Sequence, residues 1–304
     1  MIPACGRKPS PAGYACTMRL LAFFVSLAIL FGCSHRSPPT QPDDGQQRLV
    51  VLSPAVAVVL RDLGVGDRIV GRHNYDIVFP DLPACGQQGA IDYERLLAVH
   101  PTDILIQWGS QPLPERLQVL ADRNSWRIHR YELVTLDDIE QAIAELQRLY
   151  APDRPGEPLE ASFERALRRR DGLERVGRVL LLGAVDPPTV LGPGSFHAQV
   201  LERIGATPAI TSGGLWIELG LEDVLTIAPD AIVLVQPRPG GAGVQALGPD
   251  AVPLLGSLAR LRLAAIDRGR VAVLDGELYH TPSTAMAPFA EDLARVLQGW
   301  AEQE

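Results

Sequence analysis

From Arg48 onward, short apolar runs alternate with stretches whose apolar residues fall three and four positions apart, the pattern of an α/β protein. The runs Leu49 to Leu52, Arg68 to Gly71, Asp103 to Gln107 and Trp126 to Arg130 read as strands. Between and after them, Pro54 to Leu63, Asp92 to Val99, Pro114 to Arg123 and Leu136 to Leu149 read as helices. The first has proline in its opening turn and Gly64 just past its end, the usual punctuation of a helix. APDRPGEP, residues 151 to 158, breaks the pattern, and Leu159 to Val176 then reads as one long helix. A second series follows, with strands Val179 to Leu182, Ala231 to Val235 and Val271 to Leu274, and helices Ser195 to Ile204, Leu221 to Ile227 and Thr284 to Gln298. The expected fold class is α/β: two Rossmann-like lobes joined by one long helix, with a ligand cleft between the lobes. The boundaries fall at 48–156 for the N-terminal lobe, 157–177 for the linking helix and 178–304 for the C-terminal lobe.

An internal repeat supports two lobes. IDYERLLAVHPTDILI, from Ile91, lies without gaps on LGLEDVLTIAPDAIVL, from Leu219. Glu94 matches Glu222, Leu97 matches Leu225, Pro101 matches Pro229 and Ile104 matches Ile232. Upstream, Leu52-Ser53-Pro54 leads to VLRDLG, residues 59 to 64, and Leu191-Gly192-Pro193 leads to VLERIG, residues 200 to 205. Each lobe is expected to be a copy of one unit.

The N-terminus changes the picture from folded domain to exported protein. Leu20 to Phe31 is apolar except for Ser26 and follows Arg19, which gives a charged region and a short hydrophobic region. Such a segment is too short to span a bilayer. It ends Leu30-Phe31-Gly32-Cys33, which resembles the bacterial lipobox. Residues 1–32 are therefore expected to be a lipoprotein signal peptide, with Met18 a second possible start, and Cys33 the lipidated residue. SHRSPPTQPDDGQQ, residues 34 to 47, is polar and proline-rich, and 33–47 reads as a flexible tether.

Charge and motifs narrow the function. The net charge is −8 and Lys8 is the only lysine, so the concentrated basic surface that nucleic acid requires is missing. The sequence carries no nucleophile elbow, no Walker loop, no zinc-protease helix and no CxxC, so no catalytic residues, no cofactor and no metal centre are assigned. After signal removal, Cys85 would be the one thiol left beside Cys33, which leaves no disulfide and no cysteine-rich metal site.

Ligands of open α/β sheets bind beyond the carboxyl ends of the strands. That rule selects RHNYD (72–76), WGSQP (108–112), GAVDPPT (183–189) and DGELYHTPS (275–283). These loops hold Tyr75, Trp108 and Tyr279, three of a modest aromatic complement, together with His73 and His280. Aromatic side chains there suit a flat or large apolar ligand gripped between the lobes. His100, His129 and His197 fall in or beside predicted elements and read as structural. A second class of function stays open, a metal-dependent enzyme or sensor using His73, His280 and a carboxylate such as Asp76 or Glu277.

RLVVLSPAVAVVLRDLGVGDRIVG, IDYERLLAVHPTDILI, GLEDVLTIAPDAIVL and AIDRGRVAVLDG, spread from Arg48 to Gly276, resemble hallmark segments of the periplasmic binding proteins for iron complexes and cobalamin. That resemblance implies a non-enzymatic, monomeric receptor that delivers a corrinoid or iron complex to an ABC permease and ATPase. Haem, a ferric siderophore or another metal chelate fits the same scaffold. It further implies Tyr75, Trp108 and Trp216 as pocket residues, and with Tyr279 and His280 of the selected loops these are the expected ligand-binding residues. Glu115 and Glu222, one per lobe, would be the residues that dock on the permease. Aromatic residues expected on this resemblance are replaced by Thr189, by Gln87 or Gln88, and by Gly276.

Overall fold

Residues 47–303 are described by a computed structural model. The signal segment, the lipobox with Cys33 and the tether up to residue 46 lie outside the described residues. Among the described residues no helix is long and apolar enough to cross a membrane.

In chain order the N-terminal lobe comprises β1 (Leu49–Leu52), α1 (Pro54–Leu63), β2 (Ile69–Arg72), the short pair β3 (Gly86–Gln87) and β4 (Ala90–Ile91), α2 (Tyr93–Ala98), β5 (Asp103–Gln107), α3 (Glu115–Asn124) and β6 (Arg127–Tyr131). Its parallel sheet runs β2-β1-β5-β6. Local chemistry explains the joints. Ser53 caps α1 by accepting from Val56 N, and Gly64 closes it with φ 78°, a left-handed conformation glycine adopts without steric cost. Asp92 caps α2 by accepting from Arg95 N.

Next come α4 (Leu136–Tyr150) and α5 (Leu159–Ala166). The C-terminal lobe follows with β7 (Arg178–Val185), β8 (Pro188–Leu191), α6 (Phe196–Arg203), β9 (Thr207–Pro208), β10 (Trp216–Glu218), α7 (Leu221–Ile227), β11 (Ala231–Val235), β12 (Val244–Leu247), α8 (Ala264–Asp267), β13 (Val271–Leu274) and α9 (Met286–Ala301). Its sheet runs β10-β8-β7-β11-β13-β12, with β9 beside β7. β7, β11 and β13 are parallel, while β8, β10 and β12 are antiparallel additions toward the edges.

The two-lobed α/β architecture is as expected, but the helix joining the lobes differs. Leu159 to Val176 is not one helix: α5 ends at Ala166, Gly172 is left-handed at φ 88°, and Leu173–Val176 is a single 3-10 segment. Phe163, Leu167, Leu173 and Val176 are all buried, so the apolar spacing looked helical throughout although the chain turns at Gly172. The long helix that touches both lobes is α4, 15 residues and about 22 Å, which packs on α1 of one lobe and α6 of the other. α5 packs on α4 and α9. One buried layer runs through these helices, from Leu60 and Ile143 to Leu201 and Phe289.

The repeat is visible in the backbone. Shifted by the same interval, α2 falls on α7 and β5 falls on β11. The residues before the matched prolines, His100 and Ala228, both take φ 45°, a left-handed conformation uncommon for residues with a side chain. In each lobe the repeated strand is central, paired in parallel on both sides.

The repeated helices α1 and α6 also act as each other's counterpart. The last turn of α1 reaches the segment entering α9, where Thr284 Oγ1 donates to Asp62 Oδ2 at 2.5 Å. α6 reaches the start of α4, where Leu136 N donates to Gln199 Oε1 at 2.7 Å and Arg203 pairs with Glu140 at 3.0 Å. α6 thus supplies an acceptor to the first backbone N–H of α4, a donor that a helix start leaves open, whereas α1 holds the segment entering α9 through a side-chain hydroxyl.

Candidate functional site

β2 ends at Arg72, and the next residues form a tight turn. Arg72 pins this turn by donating to the carbonyls of His73, Asn74 and Leu82. Asp76 is buried, and its Oδ1 accepts from Val78 N and Phe79 N. That leaves Tyr75, between pinned neighbours, 71% exposed, with its backbone N–H donating to His73 Nδ1. Burial lowers the His73 pKa, Arg72 adds to this, and the Asp76 charge opposes it.

In the C-terminal lobe, Trp216 opens β10 and pairs with Leu191 of β8. It is 55% exposed. Its ring sits over Gly183, where a Cβ would come within 2.8 Å of Trp216 Cζ3 and 3.0 Å of Leu191 Cδ2. The edge of His280 meets it at 5.9 Å between centroids. His280 packs edge-on against His197, which is buried among Phe196, Phe289 and His280. Burial, and then the nearby His280, push the His197 pKa down to about 3, while burial also lowers that of His280.

Two expected ligand-binding residues are engaged elsewhere. Trp108 is only 8% exposed, packed in the N-terminal lobe's second apolar cluster, with its indole N–H directed at the Pro112 carbonyl at 3.3 Å. Tyr279 is 5% exposed and donates to Asp292 at 2.5 Å; burial and then this carboxylate raise its pKa well above the ordinary phenol range. Of the expected aromatics, Trp108 and Tyr279 are therefore largely buried, whereas Tyr75 and Trp216 are exposed. The expected ligand loop 183–189 is the end of β7, a turn and the start of β8.

Among the described residues no group of three or more His, Cys, Asp and Glu could hold a metal ion, so His73, His280 and Asp76 or Glu277 do not assemble one. Cys85 is buried in the core, and burial raises its pKa to about 11, the condition of an inert thiol.

Glu115 and Glu222 are both exposed, in the first turns of α3 and α7. They are not related by the repeat, whose operator places Glu94 of α2 on Glu222 of α7. The equivalence extends to the neighbours: Leu96 and Val224 are both fully buried, and Leu97 and Leu225 are both exposed. Each lobe therefore presents a glutamate and an exposed leucine one helical turn apart.

No protein-family model and no curated protein matches the sequence. Solved structures do match. The periplasmic heme-binding protein RhuT from Roseiflexus sp. RS-1 aligns with TM-score 0.60 at 20% identity, covering 84% of this chain and 100% of that one. The periplasmic vitamin B12 binding protein BtuF of Vibrio cholerae aligns with TM-score 0.61 at 19% identity, covering 85% and 98%. The periplasmic heme-binding protein HutB of Vibrio cholerae gives 0.62 at 16%, covering 83% and 98%. The chain has the fold of the periplasmic binding proteins. Coverage of those chains is nearly complete, so both lobes take part in the likeness.

Proposed function

We propose that the protein is the lipid-anchored, solute-binding component of an ABC importer in the cell envelope, and that its solute is a metal tetrapyrrole, a corrinoid or a haem. The observation that carries this is the pair Tyr75 and Trp216, one in each lobe. Both are large aromatics held in place by pinned neighbours yet left open to solvent, where burying them would be worth about 1.5–3 kcal/mol each. A rigid aromatic face in each lobe suits a broad, flat ligand, which two such faces can cover at small entropic cost. Similar proteins named for haem and for vitamin B12 support the choice of class. Because the similar proteins are named for both, the proposal is stated for tetrapyrroles together.

For delivery we propose that Glu94 and Glu222 engage basic residues of a permease, with Leu97 and Leu225 beside them. A surface repeated by the internal symmetry fits a partner with two equivalent halves. Glu115 is the competing N-lobe candidate. Anchoring is assigned to Cys33, and Cys33→Ala should release the protein from membranes.

Absorbance and calorimetric titration with haemin, cyanocobalamin and a ferric siderophore tests the solute. Binding of either tetrapyrrole supports the reading. Binding of the siderophore alone would move the protein to another class of iron complex.

A further inference from the structure

His197 and His280 leave two buried nitrogens without partners. His197, the second residue of α6, is 1% exposed, and its Nε2 lies 2.7 Å from the Tyr279 carbonyl. A carbonyl only accepts, so Nε2 carries the proton and Nδ1 is left with a lone pair. That Nδ1 is buried and has no hydrogen-bond partner. His280, in the loop after β13, is hydrogen-bonded to the Val235 carbonyl. Its Nε2 is buried and unpartnered, so the proton lies on Nδ1 and Nε2 also carries a lone pair. The two rings are adjacent, with centroids 5.3 Å apart and planes at 82°. The Trp216 ring packs against His280, with centroids 5.9 Å apart.

Burying one unpaired acceptor is costly, and two on adjacent rings call for an occupant that takes lone pairs from both. A metal cation does so, and imidazole nitrogen suits copper, nickel and zinc. Each ring also donates its other N–H to a backbone carbonyl, the arrangement that orients metal-binding histidines. We propose that His197 Nδ1 and His280 Nε2 bind one late first-row divalent metal ion beside Trp216. Two protein donors leave the other coordination positions open, to water or to donors brought by a small molecule. This site does not depend on the identity of the transported solute.

The test uses the full chain in detergent, stripped of metal and titrated with Cu²⁺. We expect one bound equivalent, an electron paramagnetic resonance spectrum with hyperfine structure from two nitrogens, and quenched tryptophan fluorescence. His280→Ala, checked for folding by circular dichroism, should weaken binding about tenfold or more. His35→Ala and His73→Ala, which alter histidines elsewhere in the chain, should change it less than about twofold. No stoichiometric binding, a spectrum without two nitrogen ligands, or retention of affinity in a folded His280→Ala protein would each overturn the proposal. The wild-type spectrum decides the matter even where a variant fails to fold.

Discussion

Thr284 of the C-terminal lobe donates to Asp62 of the N-terminal lobe at 2.5 Å. At the position the repeat makes equivalent, Arg203 pairs with Glu140, so the acid of one joint is replaced by a base at the other. The lobes are thus held at two related joints by different chemistry. Asp62→Ala leaves the buried Thr284 hydroxyl without its acceptor, and should cost about 1–3 kcal/mol in urea-induced unfolding. Asp62→Ala combined with Gln199→Leu, which frees Leu136 N, should cost roughly the sum, because the two joints share no residue. A double variant as stable as wild type would remove the joints from the account.

Asp103 sets the acid limit of stability. Burial pushes its pKa up, but hydrogen bonds from His129, Arg127 and Thr102, with the Arg127 charge, override this and hold it well below the ordinary carboxylate range. On acidification the unfolded chain takes up its proton first. The contribution is therefore complete well above the ordinary value of 3.8 and is lost as pH falls through that value and below. Asp103→Asn should lose about 1.5–3 kcal/mol at pH 7 and flatten the fall in stability between pH 5 and pH 3, followed by urea titration at each pH. An unchanged acid slope would show that other carboxylates carry it.

Gly183 tests the role of Trp216 without touching a ligand. A methyl group there meets the Trp216 ring at 2.8 Å, so Gly183→Ala should displace the indole and weaken solute binding by tenfold or more, about 1.4 kcal/mol. Gly89→Ala, where no atom lies within 4 Å, is a control for space, though its positive φ of 81° adds backbone strain. Equal affinity of Gly183→Ala and wild type would argue that the indole face is not part of the site.

Docking separates Glu94 from Glu115. Glu94→Arg with Glu222→Arg should abolish solute uptake through the importer and leave solute affinity within a few-fold. Glu115→Arg should leave uptake near normal. Uptake that survives the first pair and fails on Glu115→Arg would reverse the assignment.

Much of this architecture was legible in the sequence. Pro54 to Leu63 and Leu221 to Ile227 were read residue for residue, because a capping residue, a proline or a left-handed end marks their bounds. β8, β10 and β12 escaped: all three are short, β8 folds back on β7 as a hairpin through a proline-bearing turn, and β10 and β12 pair with strands distant in the chain. The burial of Trp108 and Tyr279 was not legible for a related reason. An aromatic residue in a strand-end loop looks available until its partner is known, and the partners, the Pro112 carbonyl and Asp292, leave no periodic trace. The match of Glu94 with Glu222 is legible in the repeat alone.

The most direct test of the central claim is titration of wild type, Tyr75→Ala, Trp216→Ala and Trp108→Phe with haemin and with cyanocobalamin. The account predicts that wild type binds at least one of the two with Kd of about 1 μM or tighter, that Tyr75→Ala and Trp216→Ala each weaken it at least about tenfold, and that Trp108→Phe changes it little. No binding of either tetrapyrrole, or binding indifferent to both exposed aromatics, would contradict it.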